Sequence, residues 1–214
     1  MRYLIVCGGK IDKEFGLNEI KTDGIDAIIA ADSGMDFLYE NGVTPDIIVG
    51  DFDSTTTNAL EYFERKGQTE IRRLNPIKDD TDTEYAIRLA ISEGARSIVL
   101  LGATGSRIDH VLGNISLLGI GLESGTDISI IDTNNRIRMA DKPVTIEKSA
   151  QYGRFVSLIA LTDDNEVSLK GFKYPVTDYS FDRFTSLGIS NEIVDDHALI
   201  DICLLYTSDA ADEL

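Results

Sequence analysis

The sequence predicts an α/β domain built on a mostly parallel sheet with helices on both faces, followed by a small all-β sandwich. Two observations carry that expectation. Up to about Ile131, apolar runs of strand length alternate with helix-period segments, and short strands that are apolar throughout belong to parallel sheets covered on both sides. Beyond Ile131 the runs instead alternate apolar and polar residues between turn signals, the mark of half-buried antiparallel strands.

Strands are expected at Tyr3–Val6, Ala27–Ala31, Ile47–Gly50, Ile71–Leu74, Ser97–Leu101 and Asp127–Ile131. Helices are expected between them at Gly34–Glu40, Asn58–Lys66, Thr83–Glu93 and His110–Leu118. In the third of these, Ala86, Leu89, Ala90 and Glu93 recur at helical spacing and Gly94 ends the run. The later strands are expected at Arg136–Met139, Val144–Ile146, Arg154–Leu161 and Glu166–Leu169, with turns at Asp163-Asp164-Asn165 and Lys170-Gly171. The expected division is therefore a Rossmann-like unit over residues 1–132 and an all-β unit over residues 133–214.

Composition narrows the function. The chain has 214 residues, 43% hydrophobic and 27% charged, an ordinary globular balance. Its two cysteines, Cys7 and Cys203, are too few for a disulfide framework. No apolar stretch approaches the roughly 20 residues of a membrane helix, so no membrane association is expected and the location is expected to be cytoplasmic. Lys and Arg number 20 against 37 Asp and Glu, a formal net charge of −17. A duplex-binding protein needs a cationic face to displace counterions, so nucleic acid is excluded as a partner. An acidic protein binds a polyphosphate when a divalent cation arrives with it, which makes the placement of carboxylates decisive.

Loops that follow strands of an open parallel sheet are where ligands bind. Four of them carry aspartate: Asp32-Ser33-Gly34, Gly50-Asp51-Phe52-Asp53-Ser54, Lys78-Asp79-Asp80-Thr81-Asp82 and Gly105-Ser106-Arg107-Ile108-Asp109-His110. Helix capping accounts for one such residue per helix, with Asp82 and Ser54 as the obvious caps. It does not account for Asp51 and Asp53, two apart at a strand end and so on one face. Hard divalent cations take oxygen ligands, and Mg²⁺ typically uses carboxylates together with substrate phosphates. Gly105 lets the backbone approach an anion, Arg107 offers a bidentate fork for phosphate, and Asp109 can hold Arg107, accept a proton or ligate metal. His110 beside Asp109 is a candidate base and equally a helix-start histidine. Neither the G-x-x-x-x-G-K-[ST] nor the G-x-G-x-x-G nucleotide signature is present.

Taken together, Ala31-Asp32-Ser33-Gly34, Pro45-Asp46, Gly50 to Ser54, Lys78 to Glu84 and Gly102 to His110 resemble the thiamine pyrophosphokinase family of bacterial type. Gly171-Phe172-Lys173-Tyr174-Pro175 and Gly188-Ile189-Ser190-Asn191-Glu192 resemble that family's thiamine-side motifs. The resemblance implies a homodimer with active sites at its interface, and pyrophosphoryl transfer from Mg²⁺-bound ATP to the thiamine hydroxyl, giving thiamine diphosphate and AMP. It implies that Asp51, Asp53, Asp79 (or its neighbour Asp80) and Asp82 hold Mg²⁺ and the phosphates, with Arg107 and Asp109 also catalytic. Thr104, Gly105, Arg107, Asp109 and His110 would line the nucleotide pocket, with Asp32 in support, and Ser190 and Asn191 would face thiamine. From Cys203 to Leu214 the chain departs from the family's closing strand and resembles translated sequencing-adapter read-through, so this tail is expected to be non-native and to leave a sheet edge exposed.

The carboxylates alone also fit a metal-dependent nucleotide phosphohydrolase, which would release phosphate from ATP without an added alcohol. A non-catalytic nucleotide or thiamine binding module would bind ligand and form no AMP.

Overall fold

The computed structural model describes residues 1–52, 58–75, 80–105, 107–163 and 165–204, the side chains of 203 and 204 excepted. Two units divide the chain, Met1–Met139 and Ala140–Leu214.

In the first unit the apolar runs become β1 (Arg2–Val6), β2 (Ala27–Ala31), β3 (Ile47–Gly50), β4 (Glu70–Arg73), β5 (Ser97–Leu101) and β6 (Asp127–Ile131). All six pair in parallel. The helices between and after them are α1 (Lys13–Ile20), α2 (Gly34–Glu40), α3 (Ala59–Lys66), α4 (Asp82–Ser92), α5 (Ile108–Leu117) and α6 (Gly119–Ser124). Side-chain alternation along the strands feeds two cores. Tyr3, Ile5 and Cys7 share one with Ala86, Ile87 and Ala90 of α4, while Leu4 and Val6 share the other with Met35 and Leu38 of α2 and Phe63 of α3. Helices thus cover both faces, as the uniformly apolar strands require.

Strand order is β4-β3-β2-β1-β5-β6, closed at the last edge by β7 (Arg136–Arg138) running antiparallel to β6. The chain leaves β1 toward β4 and returns on its other side at β5. That reversal is the topological switch point of the sheet, the place where open α/β sheets bind ligands at the carboxyl ends of their strands. Glycine lines it because the backbones touch. The Gly9 N–H donates to the Gly102 carbonyl at 2.9 Å, and a Cβ on Gly9 would lie 2.2 Å from that oxygen.

In the first unit two helices and one strand differ from expectation. Helix α1 was not expected, because its eight residues include Gly16 and carry a weak apolar stripe; Asp12 caps it by accepting from the Phe15 N–H at 2.9 Å. The run expected as His110–Leu118 forms α5, and the short α6 that follows it at Gly119–Ser124 lies outside the expected helices. Arg136–Arg138, expected to open the all-β unit, belongs to the first sheet because a tight turn at Asp132–Asn135 folds it back onto β6.

The second unit is all-β. Its antiparallel sheet has the order β10-β9-β11-β8, with β8 (Val144–Glu147), β9 (Asn165–Lys170), β10 (Val176–Phe181) and β11 (His197–Leu204). The expected strand Arg154–Leu161 is extended chain making a single bridge, Val156 to Asn191. It keeps its alternation, with Val156, Leu158 and Ala160 against the core of Val167, Leu169, Phe172 and Phe181. Strands β10 and β11 lie outside the runs expected from sequence. Among the described residues no helix is long and apolar enough to cross a membrane.

Two glycine substitutions have opposite expected signs. Gly9→Ala drives a methyl into backbone that cannot yield and lowers stability by about 1–3 kcal/mol. Gly113→Ala, inside α5 with open space around its Cβ position, raises stability by about 0.5–1 kcal/mol. Urea denaturation of the two variants beside the parent checks both.

Candidate active site

Three carboxylates converge where β2, β3 and α4 meet. Asp32 follows β2 in the left-handed region (φ 49°), and its N–H donates to the Val49 carbonyl at 2.8 Å, tying it to the end of β3. Gly50 permits the approach, since a Cβ there would lie 3.1 Å from the Asp32 Cα. Asp51 comes next. Phe52, also left-handed at φ 65°, lies under the Arg73 guanidinium, 5.4 Å from its ring centre. Asp82 opens α4, but Thr81 caps that helix by accepting from the Glu84 N–H at 3.2 Å. Capping therefore does not explain Asp82.

One oxygen each from Asp32, Asp51 and Asp82 lies within 4.8 Å of the others, and all three residues are half-buried. At that spacing two charges repel by about 3–4 kcal/mol at an effective dielectric of 20. Drawn together by side-chain adjustment, the three oxygens would hold one hard cation, which would supply positive charge to phosphate oxygens. The donor set is all carboxylate, the chemistry such an ion prefers.

The loop after β5 is braced from three directions. Gly102 accepts from Gly9, the Ala103 carbonyl accepts from Asn114 Nδ2 of α5 at 2.8 Å, and Thr104 Oγ1 donates to Asp132 Oδ2 at 2.7 Å. Arg107 and Asp109 form a two-pronged ion pair, Nη2 to Oδ2 at 2.6 Å and Nε to Oδ1 at 3.2 Å, both well exposed. The Arg107 hydrogen bond holds the Asp109 carboxyl below the ordinary carboxylate range. Of the roles open to Asp109, the geometry has it holding Arg107. His110 lies exposed in the first turn of α5.

Within the second unit, Asn191 joins the two motifs expected on the thiamine side. It is buried, its Nδ2 donates to the Tyr174 carbonyl at 2.9 Å, and its Oδ1 accepts the N–H groups of Tyr174 (3.1 Å) and Glu192 (2.9 Å). Ser190 is exposed and left-handed (φ 61°), with its N–H on Ser157 Oγ at 3.0 Å.

Residues 21–130 match the family model described as thiamin pyrophosphokinase, catalytic domain, and residues 143–202 match thiamin pyrophosphokinase, vitamin B1 binding domain. The thiamine pyrophosphokinase of Bacillus subtilis is 35% identical over 168 residues, 78% of each chain. The chain belongs to the thiamine pyrophosphokinase family. Two crystal structures from the family overlay closely. That of the Bacillus subtilis protein gives a TM-score of 0.84 at 31% identity, covering 95% of each chain. That of the Geobacillus thermodenitrificans protein gives 0.81 at 30% identity, covering 95% of this chain and 94% of that one.

Against this family background the sequence-expected residues sort themselves. Asp51 and Asp82 come together, joined by Asp32, which stands among the carboxylates and not merely behind them. Asp53 and Asp79 lie outside the described residues. Thr104, Gly105 and Arg107 lie in the loop that follows β5, and Asp109 in the first turn of α5. Pro45-Asp46 lies at the opposite end of the sheet, where Asp46 Oδ2 accepts from the Ile28 N–H at 2.7 Å at the start of β2. Asn191 spends its carboxamide on backbone. Sequence reasoning passed over Asp132, whose signal was present as an aspartate two residues before an Asn-Asn turn.

Asn191→Ala is expected to lower stability by about 1 kcal/mol, because it strips part-buried backbone groups of Tyr174 and Glu192 of their partners. Faster hydrogen exchange confined to the Tyr174 and Glu192 amides, with the first unit unchanged, is the measurement that checks it.

Proposed function

We infer that the Asp32, Asp51 and Asp82 carboxylates hold the divalent cation that accompanies ATP while its pyrophosphoryl group passes to the hydroxyl of thiamine. The convergence of three carboxylate oxygens within 4.8 Å carries this reading, since a protein binding an anionic substrate keeps such a cluster only with a cation to neutralise it. Mg²⁺ fits the donor set, and the bound ion would draw charge from the phosphate oxygens as it develops. By resemblance of their motifs, Asp53 and Asp79 join as further ligands of the ion or the phosphates.

The nucleotide lies in this reading at the β1–β5 switch point, with Thr104, Gly105 and the N-terminal turn of α5 along it. Arg107 exchanges Asp109 for a phosphate, a bidentate partner of the same geometry, and Asp109 keeps the guanidinium aimed until substrate arrives. Transfer forms a bond from the thiamine hydroxyl oxygen to the β-phosphorus and breaks the bond from that phosphorus to the α–β bridging oxygen. AMP leaves with the electron pair, and the hydroxyl proton passes to a carboxylate of the cluster. His110, exposed on α5, is left to the rim of the nucleotide pocket.

On the thiamine side, Ser190 is the contact and Asn191 the brace that sets its loop. A homodimer is the proposed assembly, supported by apolar side chains left exposed in the second unit, among them Phe184 at 92% and Ile159 at 72%. Dependence on ATP supports a cytoplasmic location, and a net charge of −17 disfavours nucleic acid as a partner.

Two experiments test the reading. AMP release from Mg-ATP is expected to need thiamine and to stop with EDTA. Phosphate released without thiamine would point instead to a hydrolase, and ligand binding without AMP to a binding module. Asp51→Asn is expected to cut thiamine-dependent AMP formation at least 100-fold. Near-parental turnover at limiting Mg²⁺ would overturn the metal assignment.

A further inference from the structure

The Asp132 carboxylate, directly after β6, serves two structures at once. Its Oδ1 accepts the N–H groups of Asn134 (2.8 Å) and Asn135 (2.7 Å) and the Asn135 side-chain amide (3.0 Å), closing the turn into β7. Its Oδ2 accepts the Thr104 hydroxyl at 2.7 Å, from the loop that follows β5. Burial pushes this carboxyl up, but the hydrogen bonds from Thr104, Asn134 and Asn135 outweigh it and hold it below the ordinary range.

An ionised carboxylate can only accept, so the hydrogen between Thr104 and Asp132 belongs to Thr104. A hydroxyl has one hydrogen. With that hydrogen committed to Asp132, Thr104 has lone pairs alone to offer anything else. An ionised phosphate oxygen is also acceptor-only, and two acceptors facing each other repel. The neighbouring residues leave Thr104 little freedom to turn away, since Gly102 is tied to Gly9 and Ala103 to Asn114.

We propose that Asp132 is a positioning residue for the nucleotide. Through Thr104 it fixes the β5–α5 loop and makes that hydroxyl an acceptor, which meets a donor on the nucleoside (a sugar hydroxyl or a base amino group) and not the phosphates. This rests on the assignment of Thr104 to the nucleotide pocket, and the variants separate the two claims.

Thr104→Val is expected to raise the KM for ATP about fivefold, the worth of one hydrogen bond, with the KM for thiamine unchanged and Thr104→Ser near the parent. Inorganic tripolyphosphate, which carries phosphates and no nucleoside, should inhibit Thr104→Val and the parent equally. Asp132→Ala should raise the KM for ATP to a similar extent. The double variant should be no worse than the worse single, because both remove the same interaction. Asn135→Ala, which loosens the turn without touching Thr104, should leave the KM for ATP unchanged.

A parental KM for ATP in Thr104→Val would remove Thr104 from the nucleotide pocket, and the proposal with it. A double variant impaired by the product of the singles, about 25-fold, would mean that Asp132 does not act through Thr104. Weaker tripolyphosphate inhibition in Thr104→Val would put the hydroxyl on phosphate and overturn the donor claim. An Asn135→Ala KM for ATP as high as that of Asp132→Ala would reduce Asp132 to a turn residue.

Discussion

Convergence of the Asp32, Asp51 and Asp82 carboxylates is the arrangement that the rest of the first unit's site depends on. Two ionised carboxylates at such spacing repel by about 3–4 kcal/mol at an effective dielectric of 20, against a net domain stability of roughly 5–15 kcal/mol. The backbone beneath them has to carry that load. It does so with β1, β2 and β3, apolar on both faces and packed between α4 on one side and α2 and α3 on the other. A cation binding the cluster removes the repulsion and so stabilises the fold that presents it. Metal affinity and fold stability are therefore one quantity viewed from two directions.

The strand order places glycine and acid side by side. Because the chain reverses between β1 and β5, the loops that follow these strands meet backbone to backbone at Gly9 and Gly102, while those after β2 and β3 carry the carboxylates. The glycine side is built from Gly8-Gly9 and Gly102 to Gly105, which present backbone and little side-chain bulk. The cluster side is built from acid. A polyphosphate bridged by a metal needs both surfaces next to each other, and a parallel sheet with this order supplies them on neighbouring strands. Arg107, held by Asp109 in a two-pronged ion pair, places an exposed guanidinium at the start of α5.

Much of this was legible in the sequence, for physical reasons that also mark where legibility ends. Strands buried on both faces must be apolar throughout, so β1, β2, β3, β5 and β6 announced themselves. Helix α1 did not, because its stability comes from packing, Gly16 against Ile11 and Phe37, and not from an apolar stripe. Strand β7 was misassigned because alternation is a local property, whereas its membership of the first sheet depends on the Asp132–Asn135 turn. In the site, spacing picked out Asp51 and Asp82, but the place of Asp32 depends on the Asp32 N–H to Val49 contact between two strands. Asn191 was read as a ligand-facing residue because a motif records which residues matter and not which way they point.

Backbone strain distinguishes these motifs more finely than burial does. Among the described residues, four non-glycine residues have left-handed φ: Asp32, Phe52, Asp178 and Ser190. Such a conformation costs on the order of 1 kcal/mol or more, least for aspartate and most for a bulky aromatic, and it persists where surrounding contacts enforce it. Asp178 has a local cause, since β10 shifts register between Val176 and Tyr179 and the Ser168 hydroxyl bonds its N–H and carboxylate. The other three lie in motifs, and each has an identifiable restraint: the Val49 carbonyl for Asp32, the Arg73 guanidinium for Phe52 and the Ser157 hydroxyl for Ser190. Asp32 follows β2 and Phe52 follows Asp51 at the end of β3, so the two left-handed residues stand at the ends of neighbouring strands, beside the carboxylates that converge there. The Asp32 N–H on the Val49 carbonyl and the missing side chain at Gly50 hold these strand ends together, which is why carboxylates far apart in sequence bring oxygens within 4.8 Å of one another.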